Sequence, residues 1–169
     1  MRKNKGKIRD GFGYLVTFRY FCERNKKLFI LTLIINKAMT IIDTTLINSL
    51  ADEAKRSPRL RMNRNFHQSL SDKCHRFLNA LEPGTQVPVH HHPTKDETFV
   101  ILRGKVRVTT YNDQGEILES CIISHEDGMY GVDIPKNTWH SVECLEPSVL
   151  LECKEGPFVE HEVEGILKL

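Results

Sequence analysis

Between Arg76 and Phe158 the chain is divided into short extended runs by turn residues, with no helical stretch between them. Phe77 to Leu81 stops at Pro83-Gly84, and Thr98 to Leu102 stops at Arg103-Gly104. Val106, Val108 and Thr110 alternate with polar neighbours, and Asn112-Asp113-Gln114-Gly115 forms a hairpin turn ahead of Ile117 to Ile123. Asp127-Gly128, Pro135-Lys136-Asn137 and Glu146-Pro147 punctuate the remainder. Roughly seven or eight strands at this spacing predict a mainly β sandwich or barrel. The chain carries no internal repeat and no low-complexity run.

A helix is expected ahead of the strands, over Asp43 to Arg56. Asp43 or Thr44 can cap it, and Leu46, Ile47, Leu50 and Ala54 recur at spacings of three and four. Pro58 ends it. Arg56, Arg59, Arg61 and Arg64 then form a basic lead-in that reads as a solvated or salt-bridged face. The expected organisation is an N-terminal extension over 1–38, helix and lead-in over 39–75, barrel over 76–158 and tail over 159–169.

The charge distribution sets the extension apart. Residues 1–38 carry ten Lys and Arg against two Asp and Glu, whereas 39–169 carry fourteen against twenty. That break makes Met39 a candidate natural start. An acidic body also argues against nucleic-acid binding, which needs clustered basic side chains. The most apolar segment, Leu28 to Ile35, has eight residues, against the roughly 20 that span a bilayer, and no membrane partner is expected. Five cysteines without Cys-x-x-Cys spacing make a poor disulfide or thiolate framework and fit a cytoplasmic, reduced setting.

The chemistry concentrates in Val87-Pro88-Val89-His90-His91-His92. Neighbouring residues of a strand point to opposite faces, so His90 and His92 share one side and His91 takes the other. Two residues of strand rise about 6.6 Å, which lets two same-face imidazoles converge on one ion at roughly 2.1 Å from each nitrogen. A turn over Pro93 to Asp96 returns Glu97, facing inward, on the neighbouring strand. His67, His75, His125 and His161 lack ligand spacing and read as surface or hydrogen-bonding residues, and Trp139 reads as a wall or core residue.

Glycines frame this stretch: Gly84, five residues, His90, one residue, His92, four residues, Glu97, six residues, Gly104. The spacing resembles the first motif of the cupin superfamily in full. Pro135-Lys136-Asn137-Thr138-Trp139-His140 resembles the second, with Asn137 in place of a glycine, and Asn is the next best residue at positive φ. Two departures stand out: Met129 rather than glycine lies six residues before Pro135, and Cys144 stands where the family often has Asn. The resemblance implies a cupin double-stranded jelly-roll barrel and the metal ligands His90, His92, Glu97 and His140. Such a donor set suits one divalent ion, Fe, Mn, Ni, Zn or Cu.

Four passages also resemble a narrower group, the WbuC family of cupin-fold metalloproteins: Ile41 to Leu50, Arg61 to His67, Arg76 to Gly84, and Leu150 to Phe158. That resemblance implies a role in bacterial surface-polysaccharide (O-antigen type) synthesis, on a sugar or nucleotide-sugar, with isomerase- or epimerase-like chemistry. The alternatives are an Fe(II)-dependent dioxygenase and a non-catalytic ligand-binding or sensor cupin. Arg64, His67 and Lys154 are the expected substrate-binding residues, since they suit an anionic or hydroxyl-rich ligand. A small sugar-derived molecule is the expected partner, with a homodimer as a further option.

Overall fold

A computed structural model describes the backbone of residues 5–10, 13–22, 27–36 and 165–166 and the whole of 39–158. The chain divides into two units, Met1–Ile42 and Asp43–Leu169. In the first, β1 (Lys5–Asp10), β2 (Gly13–Cys22) and β3 (Lys27–Asn36) form an antiparallel sheet in the order β1-β2-β3. The apolar run Leu28 to Ile35 lies within β3 and pairs along its length with β2. No helix among the described residues is long and apolar enough to cross a membrane.

The second unit opens with helix α1 (Thr44–Arg56). Asp43 caps it, its Oδ1 accepting the Leu46 N–H at 2.9 Å, and Ser57 closes it one residue before Pro58. Seven strands follow with side chains described: β4 (Arg61–Asn65), β5 (Cys74–Leu81), β6 (His90–His91), β7 (Glu97–Tyr111), β8 (Ile117–Ile123), β9 (Gly131–Ile134) and β10 (Trp139–Glu155). A short β11 (Gly165–Ile166) pairs with β6.

Two predicted strand ends are absent. Arg103-Gly104 and Glu146-Pro147 do not stop strands; they lie opposite one another inside the long strands β7 and β10. The ladder there shifts register between Cys144 and Leu150. A β-bulge bends paired strands without ending them. Gly104 takes φ +79, and a Cβ at that position would lie 2.4 Å from the Pro147 carbonyl oxygen. The strand backbones therefore approach at the bend as only glycine allows.

The bend sorts the strands into two layers. Residues 97–103 of β7 and 149–155 of β10 pair with each other, with β9 beyond β7 and β5 then β4 beyond β10. The other halves of β7 and β10 pair with each other, with β8 on one side and β6 and β11 on the other. The lead-in expected as a mere basic face contains strand β4, which is the edge of the first layer. Between the layers, Leu81, Phe99, Ile101 and Leu150 meet Val106, Val108, Ile123, Val142 and Cys144 in one buried core. This is the mainly β jelly-roll arrangement, one helix preceding an antiparallel sheet.

Helix α1 covers the outer face of the first layer. Leu46, Leu50, Ala51 and Ala54 pack on Leu78, Ala80 and Val149, with Met62, Leu102 and Leu151 around them. Among the residues with side chains described, these two clusters draw on Leu46 to Leu151. A chain beginning at Met39 is therefore expected to melt within roughly 5 °C of the full chain, a shift of about 1 kcal/mol or less. Calorimetry of the two forms side by side checks this. A chain from Met39 that does not fold would place essential packing before Met39.

Candidate metal centre

The second layer brings three imidazoles together. His90, on β6, pairs directly with His140 at the start of β10. His92 follows two residues on, and the carbonyl of His92 accepts the Asn137 N–H at 2.7 Å, which ties the first motif to the second. Asn137 sits at φ +62, so the left-handed position expected of the missing glycine is present and Asn fills it. The ring centroids lie 4.3 Å apart for His90 and His140, 5.2 Å for His90 and His92, and 5.7 Å for His92 and His140. His91 packs instead against Trp139, with ring centroids 4.1 Å apart and planes tilted by 49°.

Glu97 comes from the first layer. It is not on a strand adjacent to β6, as the short turn suggested, because β6 pairs with β10 and Glu97 pairs with Ile134 and Lys154. It reaches the imidazoles across the interior. Its Oε2 lies 3.1 Å from His140 Nε2 and 3.5 Å from His92 Nε2. One donor atom from each of His90, His92, Glu97 and His140 lies within 4.8 Å of all the others.

The hydrogen bonds around this cluster test whether it fits a metal. Nδ1 of His140 lies 2.8 Å from the Thr138 carbonyl and Nδ1 of His90 lies 2.9 Å from the Pro88 carbonyl. A carbonyl only accepts, so both Nδ1 atoms carry a proton, which leaves Nε2 as the nitrogen of each ring available to a metal. Burial, then the neighbouring His140, pushes His90 down to about 4, so it is neutral at physiological pH. Glu97 is 2 % exposed. Burial opposes its charge, but hydrogen bonds from His140 and His92 and the nearby Lys154 outweigh it and hold the carboxyl well below its usual range. A neutral His90 beside an ionised Glu97 matches what ligation requires. The set fits a single metal ion.

A second buried carboxyl stands behind the first. Glu152 is held well above the usual carboxylate range by burial and then by the charge of Glu97. Its Oε2 accepts from Asn79 Nδ2 at 3.2 Å. Lys154 Nζ lies 3.3 Å from Glu152 Oε1 and 3.4 Å from Glu97 Oε1, between the two carboxyl groups. These residues line a cavity of about 140 Å³ with Arg61, His90 and Phe99.

Of the three expected substrate residues, Lys154 is at this cavity, and Arg64 and His67 are not among its lining. Arg64 shares a face of β4 with Met62 and pairs with Leu78, both of which belong to the helix-side cluster. There its guanidinium lies 3.8 Å from Glu53 of α1. His67 is buried and stacks on His75 at 4.3 Å, with its Nδ1 on the Arg76 backbone. The residue of the lead-in that faces the cavity is Arg61, three positions earlier and therefore on the opposite face of the pleat. Cys144, in the place of the family's Asn, is a buried thiol donating to the carbonyls of Leu81 and Glu146, and burial pushes it up to about 11. His161 lies outside the described residues. Among those described, Cys74, Cys121, Cys144 and Cys153 are free thiols.

With both motifs folded onto one buried donor set between two β-layers, the deciding geometry is present. The barrel has the cupin fold. Solved structures of similar fold include the capsular polysaccharide assembling protein CapF from Staphylococcus aureus, 24% identical over 63% of this chain with a TM-score of 0.53. This chain spans 29% of that protein's length. TT1209 from Thermus thermophilus is 23% identical, with 69% of this chain and 97% of that one covered and a TM-score of 0.51. BH2720 from Bacillus halodurans is 20% identical, with 74% and 86% covered and a TM-score of 0.51. A family model described as a domain of unknown function, DUF6016, matches residues 42–123. No curated protein matches the chain significantly.

Sequence reasoning missed Glu152, Asn79 and Arg61. Glu152 directly follows the apolar run Val149-Leu150-Leu151, and nothing local in the sequence marks it as buried.

Proposed function

We propose that this chain is a metal-dependent cupin that moves a proton on a small oxygen-rich substrate, in an isomerase- or epimerase-like reaction in the cytoplasm. The substrate class is a sugar or nucleotide-sugar of bacterial surface-polysaccharide synthesis. The carrying observation is Glu152, a buried carboxyl that shares Lys154 with Glu97 beside a four-donor cluster; burial and the Glu97 charge hold Glu152 well above the usual carboxylate range, while Glu97 is held well below it. Two carboxyl groups whose environments push them apart mark an acid–base site. The sugar assignment rests on the passages that resemble the WbuC family, and the Staphylococcus aureus neighbour is named for capsular polysaccharide assembly.

His90, His92, Glu97 and His140 would hold the ion, which when bound supplies Lewis-acid polarisation of a substrate oxygen. The proton work falls to Glu152, whose carboxyl exchanges a proton with the substrate. Asn79 fixes its orientation through Oε2. Lys154 offsets the negative charge that appears when Glu152 gives the proton up. Leu81, Phe99, Val142 and Leu150 keep this corner poor in water, which strengthens each of these interactions.

The test is solvent-proton exchange. Metal-loaded protein incubated in D2O with glucose or N-acetylglucosamine, whose open-chain aldehydes acidify the neighbouring C–H, is expected to place deuterium on that carbon, seen by NMR. Glu152→Gln is expected to slow that exchange by about 10²–10⁴-fold with metal content unchanged. Tight binding of these sugars without exchange would make the protein a binding module. Oxygen consumption by the Fe(II) form would make it a dioxygenase.

A further inference from the structure

Four charged side chains line the cavity, and three of them are occupied with one another. Lys154 sits between Glu97 and Glu152, within 3.4 Å of an oxygen of each. The fourth, Arg61, makes no ion pair among the described residues. Its side chain makes one long hydrogen bond there, 3.4 Å, from Nη1 to the Gln86 carbonyl. The pleat of β4 fixes its side: Arg61 pairs with Leu81 and Asn63 with Asn79, and Leu81 and Asn79 also line the cavity. Arg64 on the other face has Glu53 as its counter-ion. One guanidinium of the basic lead-in is thus directed at the site with its planar fork available, and that fork matches a carboxylate or phosphate through two parallel hydrogen bonds.

We propose that Arg61 anchors an anionic group of the substrate, so that the substrate is a sugar acid or sugar phosphate rather than a neutral sugar. This rests on the reading of the site as a metal centre acting on a sugar. Charge supports it: Arg61, Lys154 and a divalent cation outweigh Glu97 and Glu152 even with both carboxyl groups ionised, so the cavity is positive. Size supports it as well. A cavity of about 140 Å³ is close to the roughly 150 Å³ that accommodates benzene, so it has room for about six non-hydrogen atoms. The anionic group therefore lies close to the reacting carbon, and a distant diphosphate would lie outside the enclosed volume.

Titration calorimetry on the metal-loaded full chain separates the possibilities. Glucuronate is compared with its neutral isostere glucuronamide, and glucose 6-phosphate and glucose 1-phosphate with glucose. At least one anion is expected to bind tenfold or more tightly than its neutral counterpart, and which one does so distinguishes carboxylate from phosphate. Arg61→Met is expected to abolish that preference with metal content and melting temperature retained. Arg61→Lys should restore part of it, and Arg64→Met should leave it intact. Equal binding of charged and neutral forms, no binding of any of the five sugars, or a preference that survives Arg61→Met overturns the proposal. Metal content is measured on every sample, so failure to hold an ion counts against the metal centre and not against Arg61.

Discussion

Replacing His92 or Glu97 by alanine is expected to lower transition-metal affinity by more than roughly 100-fold, whereas His91→Ala should change it by less than about twofold. Losing a group that merely orients a ligand already costs 10–100-fold, so losing a ligand from a set of four costs more. His91 is adjacent to both His90 and His92 in sequence but packs against Trp139 and is not among the four clustered donors. Metal analysis of untagged protein, followed by competition with a chelator, measures the three variants on one scale. Comparable losses from His91→Ala and His92→Ala would mean that the donor set is not the buried cluster. The buried variants carry a second signature. Glu97→Ala removes the carboxylate that neighbours Lys154 and raises Glu152, so it should alter stability without metal as well.

The second large effect concerns Gly104. Gly104→Ala is expected to destabilise the barrel by about 2–5 kcal/mol, adding the strain of a left-handed residue to a steric clash. The melting temperature should fall by roughly 10 °C. The added Cβ would lie 2.4 Å from the Pro147 carbonyl oxygen and 2.5 Å from Ser148 Oγ, and the first of these is backbone that cannot swing aside. Gly128 is the control, with φ +76 but nothing within 4 Å of where a Cβ would stand. Gly128→Ala should show the conformational part alone, about 1–2 kcal/mol. Equal losses at the two positions would show that contact at the bend contributes nothing.

The metal centre was legible because its information is local. His-x-His reads its own pleat, the motif spacing marks Glu97 as the fourth donor although not the strand it returns on, and Asn137 announces a left-handed turn ahead of His140. The helix was legible for the same reason, through Asp43 and the spacing of Leu46, Leu50 and Ala54. What the sequence did not disclose depends on pairing between distant strands. Arg61 and Arg64 look alike in a run of arginines, and only the alignment of β4 with β5 shows that one faces the cavity and the other the helix. Glu152 reads as an ordinary surface charge until β10 is placed against β7 and β5. The breaks expected at Arg103-Gly104 and Glu146-Pro147 fail similarly: each has turn composition, and only their juxtaposition across the ladder makes them one bend.

That bend also sets a count. Before it, the buried inward residues of β7 are odd-numbered, Glu97, Phe99 and Ile101; after it they are even-numbered, Val106 and Val108. The strand changes step once, and the extra residue absorbed at the bulge makes both halves face the interior. Deleting one residue there would leave the chain a choice between burying Val106 and Val108 and keeping Glu97 turned inward, since a one-residue slip reverses every side chain of a strand. The orientation of the carboxylate donor is thereby locked to the packing of a different layer. Chains that drift in sequence around this barrel can exchange apolar residues freely, but a change of length by one at the bend reaches the metal ligand several residues away.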